Sequence, residues 1–170
     1  MTKNDCFYLA YGSNMYSPRL IQRVPSAKSI GMIAVDGFQL VTNKISKDGS
    51  SKCNLVQVPN QRSWCVLFSM SREHIPLLDR AEGKGYGYER KEIALSFQEQ
   101  PCVAFWYLGQ PEYCREEVLP FGWYMDFVRA GAQEHQLPLD YQRILKEWPV
   151  VVDPDEKRVR LNQQILGFVR

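Results

Sequence analysis

Two segments of this chain are apolar at nearly every position, and they strongly limit how it can fold. Trp64 to Phe68 and Val103 to Tyr107 contain almost no polar side chain. Successive side chains of an extended strand point to opposite faces, so both faces of such a strand must be covered by other parts of the protein. The pattern therefore predicts a closed β-barrel with helices packed outside it.

Strand-forming segments recur between turn signals along most of the chain. The links between them are short, as at Asp36-Gly37, Lys47-Asp48-Gly49 and Gln98-Glu99-Gln100. Short links favour antiparallel hairpins over repeated βαβ units. Runs rich in β-branched and aromatic residues predict six or seven strands, at Cys6 to Tyr11, Ile30 to Val35, Phe38 to Thr42, Asn54 to Val58, Ser63 to Met70, Tyr88 to Phe97 and Cys102 to Leu108.

Four helices are indicated, two of them late in the chain. Ser17 and Pro18 predict the N-cap and first residue of a short helix through Val24, and a second helix runs from about Arg72 to Glu82 and ends at Gly83. Two later segments repeat apolar residues at helical spacing, namely Phe121, Tyr124, Met125, Val128 and Ala132, and then Tyr141, Ile144, Leu145 and Trp148.

Length, charge and the first residues of the sequence exclude several classes of protein. A chain of 170 residues predicts one domain, here residues 1–148, with a C-terminal appendage at 149–170 that packs on it or trails from it. The net charge of +2, without a long like-charge block, argues against nucleic acid or an anionic membrane as a partner. The sequence contains no signal-like n-region and no membrane-spanning run, so we expect a cytoplasmic protein.

Cysteine and histidine usage limits disulfide bonds and metal sites. The five cysteines are scattered and show no Cys-x-x-Cys spacing, which is typical of reduced thiols and argues against structural zinc. The two histidines, His74 and His135, are too few for a metal site of several histidines, although an all-carboxylate site stays open. We expect both histidines at the surface.

The first candidate for chemistry is Tyr11-Gly12-Ser13-Asn14, where a strand ends and a helix is about to begin. Glycine permits a tight turn, and successive N–H groups near a helix start form a concavity that suits a carboxylate or an oxyanion. The alternative is an ordinary structural turn capped by Asn14 or Ser17. Ser13 is a weak candidate nucleophile because no Gly-x-Ser-x-Gly elbow surrounds it.

The second candidate is Glu82, in the last turn of the second predicted helix. A carboxylate there faces the negative end of the helix dipole, and Asp79 lies on the same helical face three residues earlier. Local rules broken in this way are enriched at functional sites. Repulsion within the pair would suit a general base that must return its proton. The alternative is a solvated acidic helix end.

Two further signals concern glycine and tyrosine. The run from Lys84 to Tyr88 looks like the opening of an RNA-recognition motif, but Glu89, Arg90 and Lys91 then break that motif. Six tyrosines at strand ends or on a helix either belong to the core or line a pocket, namely Tyr8, Tyr11, Tyr86, Tyr88, Tyr107 and Tyr124.

Taken together, three segments resemble the γ-glutamylcyclotransferase family in order and spacing. They are Phe7 to Met15, Leu78 to Gly83, and Gly131-Ala132 with Leu137 to Tyr141. The resemblance implies the α+β class, with a small, mixed, largely antiparallel β-barrel flanked by helices. It also implies ring closure of a small γ-glutamyl amide or amino acid to 5-oxoproline, without a cofactor or metal.

The resemblance also implies roles for individual residues. Glu82 matches the catalytic glutamate, and Tyr11, Gly12, Ser13 and Asn14 match the loop that holds the glutamyl group. Tyr88, Tyr107 and Tyr124 match pocket tyrosines, although Tyr86 is close enough to replace Tyr88. The alternatives are another leaving group, as in a γ-glutamylamine or a biosynthetic intermediate, or a non-catalytic binding module. The sequence leaves the oligomeric state open.

Overall fold

Within residues 4–168, five strands form one sheet and five α-helices pack around it. The structure is a computed structural model and describes residues 4–168. The strands are β1 (Asp5–Ala10), β2 (Lys28–Ile45), β3 (Ser51–Ser71), β4 (Tyr88–Phe97) and β5 (Gln100–Gly109). The helices are α1 (Ser17–Arg23), α2 (Ile75–Glu82), α3 (Gly122–Glu134), α4 (Leu139–Lys146) and α5 (Glu156–Ile165).

The sheet is mixed but largely antiparallel, with the strand order β2-β3-β1-β5-β4. Of the four pairs that these five strands form within residues 4–168, β1–β5 is parallel and the other three are antiparallel. The central strand β1 carries the buried residues Tyr8, Leu9 and Ala10. Because β1 ends in the middle of the sheet, the loop that follows it lies close to several other elements.

The α+β class and the flanking helices are confirmed, but the predicted closure of the barrel is wrong. Strands β2 and β4 stand at the two edges of the sheet and are not paired with each other within residues 4–168. The sheet nevertheless curls and brings its two edges together. The evidence is that a Cβ built on Gly31 of β2 would lie 3.1 Å from the Phe97 ring of β4. Side-chain packing thus covers the apolar strands without a closing ladder of hydrogen bonds.

Seven predicted strands become five because two pairs of them are continuous. Asp36-Gly37 was expected to form a hairpin turn, but it forms an irregularity inside β2, where Gly37 has a φ of +78°. Opposite this irregularity, the partner residue on β3 changes from Arg62 to Gln57. The two strands predicted at Asn54 to Val58 and Ser63 to Met70 are therefore parts of one strand, β3. The hairpins at Lys47-Asp48-Gly49 and at Gln98-Glu99-Gln100 are confirmed.

The predicted helices are present, with two corrections. The predicted apolar face of the last helix included Ile144 and Trp148, but α4 ends at Lys146 and Ile144 is 55% exposed. Leu145 is the residue of α4 that is fully buried against the core. His135 was expected at the surface, but its side chain is only 9% exposed. Its Nε2–H donates to the Met15 carbonyl at 2.9 Å, which ties the end of α3 to the chain just after the β1 loop. No helix within residues 4–168 is long and apolar enough to cross a membrane.

The C-terminal segment is attached to the start of α3. The backbone of Val151 exchanges hydrogen bonds with Pro120 and Gly122, at 3.0 and 3.1 Å. The buried carboxylate of Asp153 accepts a hydrogen bond from Trp123 Nε1 at 2.7 Å and pairs with Arg158 of α5. The division of the chain at residue 149 stays a prediction, and residues 1–3 and 169–170 of its two parts lie outside the described residues.

The Asp153→Asn variant should lose about 2 kcal/mol of unfolding free energy at pH 7, because the charged hydrogen bonds from Arg158 and Trp123 are weakened. Arg158 holds the pKa of Asp153 at about 2, below its usual 3.8. The ion pair therefore stabilises the fold above about pH 4 and is lost as the pH falls toward 2. Urea unfolding should show a smaller difference in unfolding free energy between the wild type and Asp153→Asn at pH 3 than at pH 7.

A matched control for this prediction is Asp140→Asn, which removes an exposed carboxylate paired with Arg143 on α4. Exposed ion pairs contribute little, so this variant should unfold like the wild type. Equal behaviour of the two variants at pH 7 would show that the Asp153 contacts do not hold the C-terminal segment.

Candidate active site

The loop after β1 is shaped by close packing at Gly12. A Cβ built on Gly12 would lie 3.0 Å from Cys53 Cβ and 3.1 Å from the Tyr124 hydroxyl oxygen. Its φ of −122° is ordinary, so the lack of space, not the backbone angle, calls for glycine here. The chain then forms a helical turn over Ser13–Met15, in which Met15 N donates to Gly12 O at 2.9 Å.

Glu82 is the last residue of α2 and reaches the β1 loop. Gly83 adopts a left-handed conformation with a φ of +65° and ends the helix. The Glu82 side chain is 15% exposed and accepts hydrogen bonds from Asn14 Nδ2 at 2.8 Å and Arg23 Nη1 at 2.7 Å. Both hydrogen bonds go to Oε1, so within the described part of the chain Oε2 has no protein donor.

Asn14 connects three side chains around this carboxylate. Its amide nitrogen donates to Glu82 and to the Tyr8 hydroxyl at 2.9 Å, and its amide oxygen accepts from Arg23 Nη1 at 2.8 Å. A side chain here must both donate and accept, which an amide does and a carboxylate does not. Asn14 therefore fixes the position of Glu82 relative to the loop.

All eight site residues indicated by the sequence line one small cavity of about 20 Å³, together with Cys53. We call it the inner cavity. Tyr88 donates to the Cys53 carbonyl at 2.5 Å, and the Cys53 N–H donates to the Tyr124 hydroxyl at 2.9 Å. Tyr11 donates to the Tyr107 carbonyl. Burial raises the pKa of all four tyrosines, so these side chains are neutral phenols that wall the cavity.

The two acidic residues of α2 have separate partners. The carboxylate of Asp79 accepts from the Tyr107 hydroxyl at 2.7 Å and pairs with Arg90 at 2.6 Å, whereas Glu82 pairs with Arg23. Each carboxylate thus has its own cation, which offsets the repulsion suggested by the spacing of Asp79 and Glu82.

Two wider cavities adjoin the inner cavity at Glu82. The first, here called the basic pocket, has a volume of about 200 Å³ and carries the cationic side chains of Arg19, Arg23, Lys44 and Lys52. The second, here called the outer pocket, has a volume of about 450 Å³ and contains Lys47 and Tyr86. Tyr86 is 73% exposed, so Tyr88 and not Tyr86 belongs to the inner cavity.

The residues of this region that sequence reasoning missed include Arg23, Lys44 and Cys53. Arg23 had a usable signal, because Arg19 and Arg23 are four residues apart on a helix that starts directly after the loop. Lys44 on β2 and Cys53 on β3 had none, because their positions depend on strand pairing over long distances.

Comparison with known proteins shows which proteins this chain resembles. The model of the AIG2-like family matches residues 62–145. Over 96% of its length the chain is 27% identical to the gamma-glutamylcyclotransferases of Bos taurus and Homo sapiens, and it covers 87% of each. A solved structure of a gamma-glutamyl cyclotransferase matches with a TM-score of 0.80 and 25% identity, over 94% of this chain and 99% of that one. The chain is thus similar over nearly its whole length to gamma-glutamylcyclotransferases.

The match to the family model includes only part of the site. Residues 62–145 contain Glu82, Tyr88, Tyr107 and Tyr124, whereas the Tyr11–Asn14 loop lies before that range. The loop contacts the matched region through the hydrogen bond between Asn14 and Glu82.

Proposed function

We propose that this chain is a γ-glutamylcyclotransferase. In the reaction, the α-amine of a γ-glutamyl amide attacks its own γ-carbonyl carbon. One C–N bond forms, the C–N bond to the leaving amine breaks, and the products are 5-oxoproline and a free amine. The closure transfers a proton and changes no oxidation state, so the reaction calls for no cofactor. The five free cysteines are consistent with a cytoplasmic location for this enzyme.

The observation that carries the proposal is the position of Glu82. Its carboxylate stands where the inner cavity meets the basic pocket, and Asn14 and Arg23 hold Oε1 while Oε2 stays available for a substrate proton. The substrate ammonium must lose a proton before it can attack, and the leaving nitrogen must gain one. Glu82 would accept the first proton and return it, a role that contributes about 10²- to 10⁴-fold to the rate.

The loop and the tyrosines would orient the substrate. The inner cavity is large enough for about one water-sized group, so most of a substrate must extend into the basic pocket. Backbone N–H groups of Gly12 to Asn14 would bind either the α-carboxylate or the oxyanion formed during attack. Holding the γ-glutamyl group in a curled conformation would strongly accelerate ring closure, because aligned intramolecular reactions reach effective molarities of about 10⁵ to 10⁸ M.

A panel of γ-glutamyl compounds tests the proposal. We expect the purified protein to release 5-oxoproline and an equal amount of amine from at least one of γ-glutamyl-alanine, γ-glutamyl-lysine isomers and glutathione. α-Glutamyl-alanine is the matched control, because its free amine cannot form a five-membered ring with the peptide carbonyl. Absence of 5-oxoproline release from the whole panel would contradict the proposal and favour a binding protein.

A further inference from the structure

The basic pocket contains more positive than negative charge. Two of its cations are paired with carboxylates, Arg23 with Glu82 at 2.7 Å and Lys52 with Asp48 at 2.8 Å. Lys44 has no carboxylate oxygen within 4.0 Å among residues 4–168, although it is buried. A buried ammonium without a counter-ion is costly, and such charges in proteins usually have a partner.

The position of the Lys44 ammonium is fixed by its neighbours. Nζ lies 4.3 Å from the centre of the Tyr88 ring, within the range of a cation–π contact. On another side the side chain packs against Gly87, where a Cβ would come within 2.5 Å of Lys44 Cε and 2.9 Å of Nζ. Burial lowers the pKa of Lys44, and the more distant carboxylates of Glu82 and Asp48 offset this shift only in part.

Lys44 lies where a leaving group would pass out of the site. It contributes to both the basic pocket and the outer pocket, and Glu82 is also shared by these two cavities. If the glutamyl group occupies the side of Glu82 that faces the β1 loop, the amine released from the γ-carbon points toward Lys44. An acidic group on that amine would then meet an ammonium that makes no ion pair within residues 4–168.

We infer that Lys44 is a specificity-determining residue whose ammonium binds a carboxylate carried by the leaving amine. This inference rests on the proposed function and deepens it. The enzyme would prefer γ-glutamyl amino acids over γ-glutamylamines of the same size, because only the former offer a carboxylate at this position. Ser46 lines the same two pockets, so its hydroxyl is available there as a further donor.

The test compares γ-glutamyl-alanine with γ-glutamyl-alaninamide, which has nearly the same shape but no charge on the leaving group. A charge-assisted hydrogen bond predicts that wild type has a KM about 10- to 100-fold lower for the alanine compound. In Lys44→Gln the KM for γ-glutamyl-alanine should rise by a similar factor while its kcat and the KM for the amide stay nearly constant. Lys44→Arg should restore part of the preference.

Lys47→Gln is the matched control, because Lys47 also lines the outer pocket but is exposed to solvent. It should keep the wild-type preference. Equal KM values of the wild type for the two substrates would by themselves overturn the inference about Lys44. An equal rise of both KM values in Lys44→Gln would also overturn it, since Lys44 would then act on the glutamyl group or on the fold. If neither substrate nor any other member of the γ-glutamyl panel released 5-oxoproline, the proposed function itself would be overturned.

Discussion

The Glu82→Gln variant should lose nearly all turnover, with kcat lower by about 10²- to 10⁴-fold. Glutamine has the same shape and its amide oxygen can still accept hydrogen bonds from Asn14 and Arg23, which in the wild type both reach Oε1. The amide nitrogen that replaces Oε2 cannot take a proton from the substrate ammonium. The variant thus removes the proposed base with little change to the packing around it.

The measurement is 5-oxoproline release under saturating γ-glutamyl substrate, with near-ultraviolet circular dichroism and thermal unfolding to verify the fold. Glu147→Gln is the matched control, because it makes the same chemical change just after the end of another helix, at an exposed position. We expect Glu147→Gln to retain full activity. Substantial turnover by a folded Glu82→Gln protein would remove Glu82 from its proposed role.

The strands could be predicted from the sequence because their signals are local, but their connections could not. Apolar and β-branched runs placed every strand near its true position. Asp36-Gly37 has the composition of a hairpin turn, and the same glycine also fits a bulge inside a long strand. Only the opposite strand decides between the two, and in this protein β3 continues past that point with a matching irregularity.

The site residues also divide into those that local sequence signals indicate and those that only strand pairing positions. The Tyr11–Asn14 loop and Glu82 stand next to element ends that the sequence marks clearly, at the end of β1 and before Gly83. Lys44 depends on a register shift between Thr42 and Lys44, which decides which face of the sheet its side chain occupies. No local pattern encodes that shift, so a residue proposed to select the substrate could be found only from the structure.

The charged side chains around Glu82 fall into two groups with different contacts. Arg23 and Asn14 each donate a hydrogen bond to Oε1 of Glu82, while Lys44 has no carboxylate partner of its own within residues 4–168. Proton transfer and substrate selection would therefore depend on different side chains. Changes at Lys44 should alter which amine is released and leave the ring closure itself intact.

The Gly131→Ala variant should lose about 2 to 3 kcal/mol of unfolding free energy, although alanine favours a helix over glycine by about 1 kcal/mol. A Cβ on Gly131 of α3 would lie 2.6 Å from three atoms, the carbonyl carbon and Cβ of Met15 and the backbone nitrogen of Tyr16. Two of these atoms are backbone, so the strain cannot be relieved by rotating a side chain. Either α3 or the Ser13–Met15 turn must move.

Movement of that turn would reach the chemistry through Asn14. The turn holds Asn14 2.8 Å from Glu82, and a shift of about 1 Å can cost about 10²-fold in rate when it misplaces reacting groups. We therefore expect the folded fraction of Gly131→Ala to show a lower kcat in 5-oxoproline release, measured at a temperature where urea unfolding shows that the variant is folded.

Gly122→Ala is the matched control, because it makes the same substitution in the same helix. A Cβ there would meet only Val150 Cγ2, at 4.0 Å, so this variant should be as stable as the wild type or slightly more stable. If the two variants were equally stable and equally active, α3 and the loop could separate without cost. The close approach at Gly131 would then have no part in holding Asn14 against Glu82.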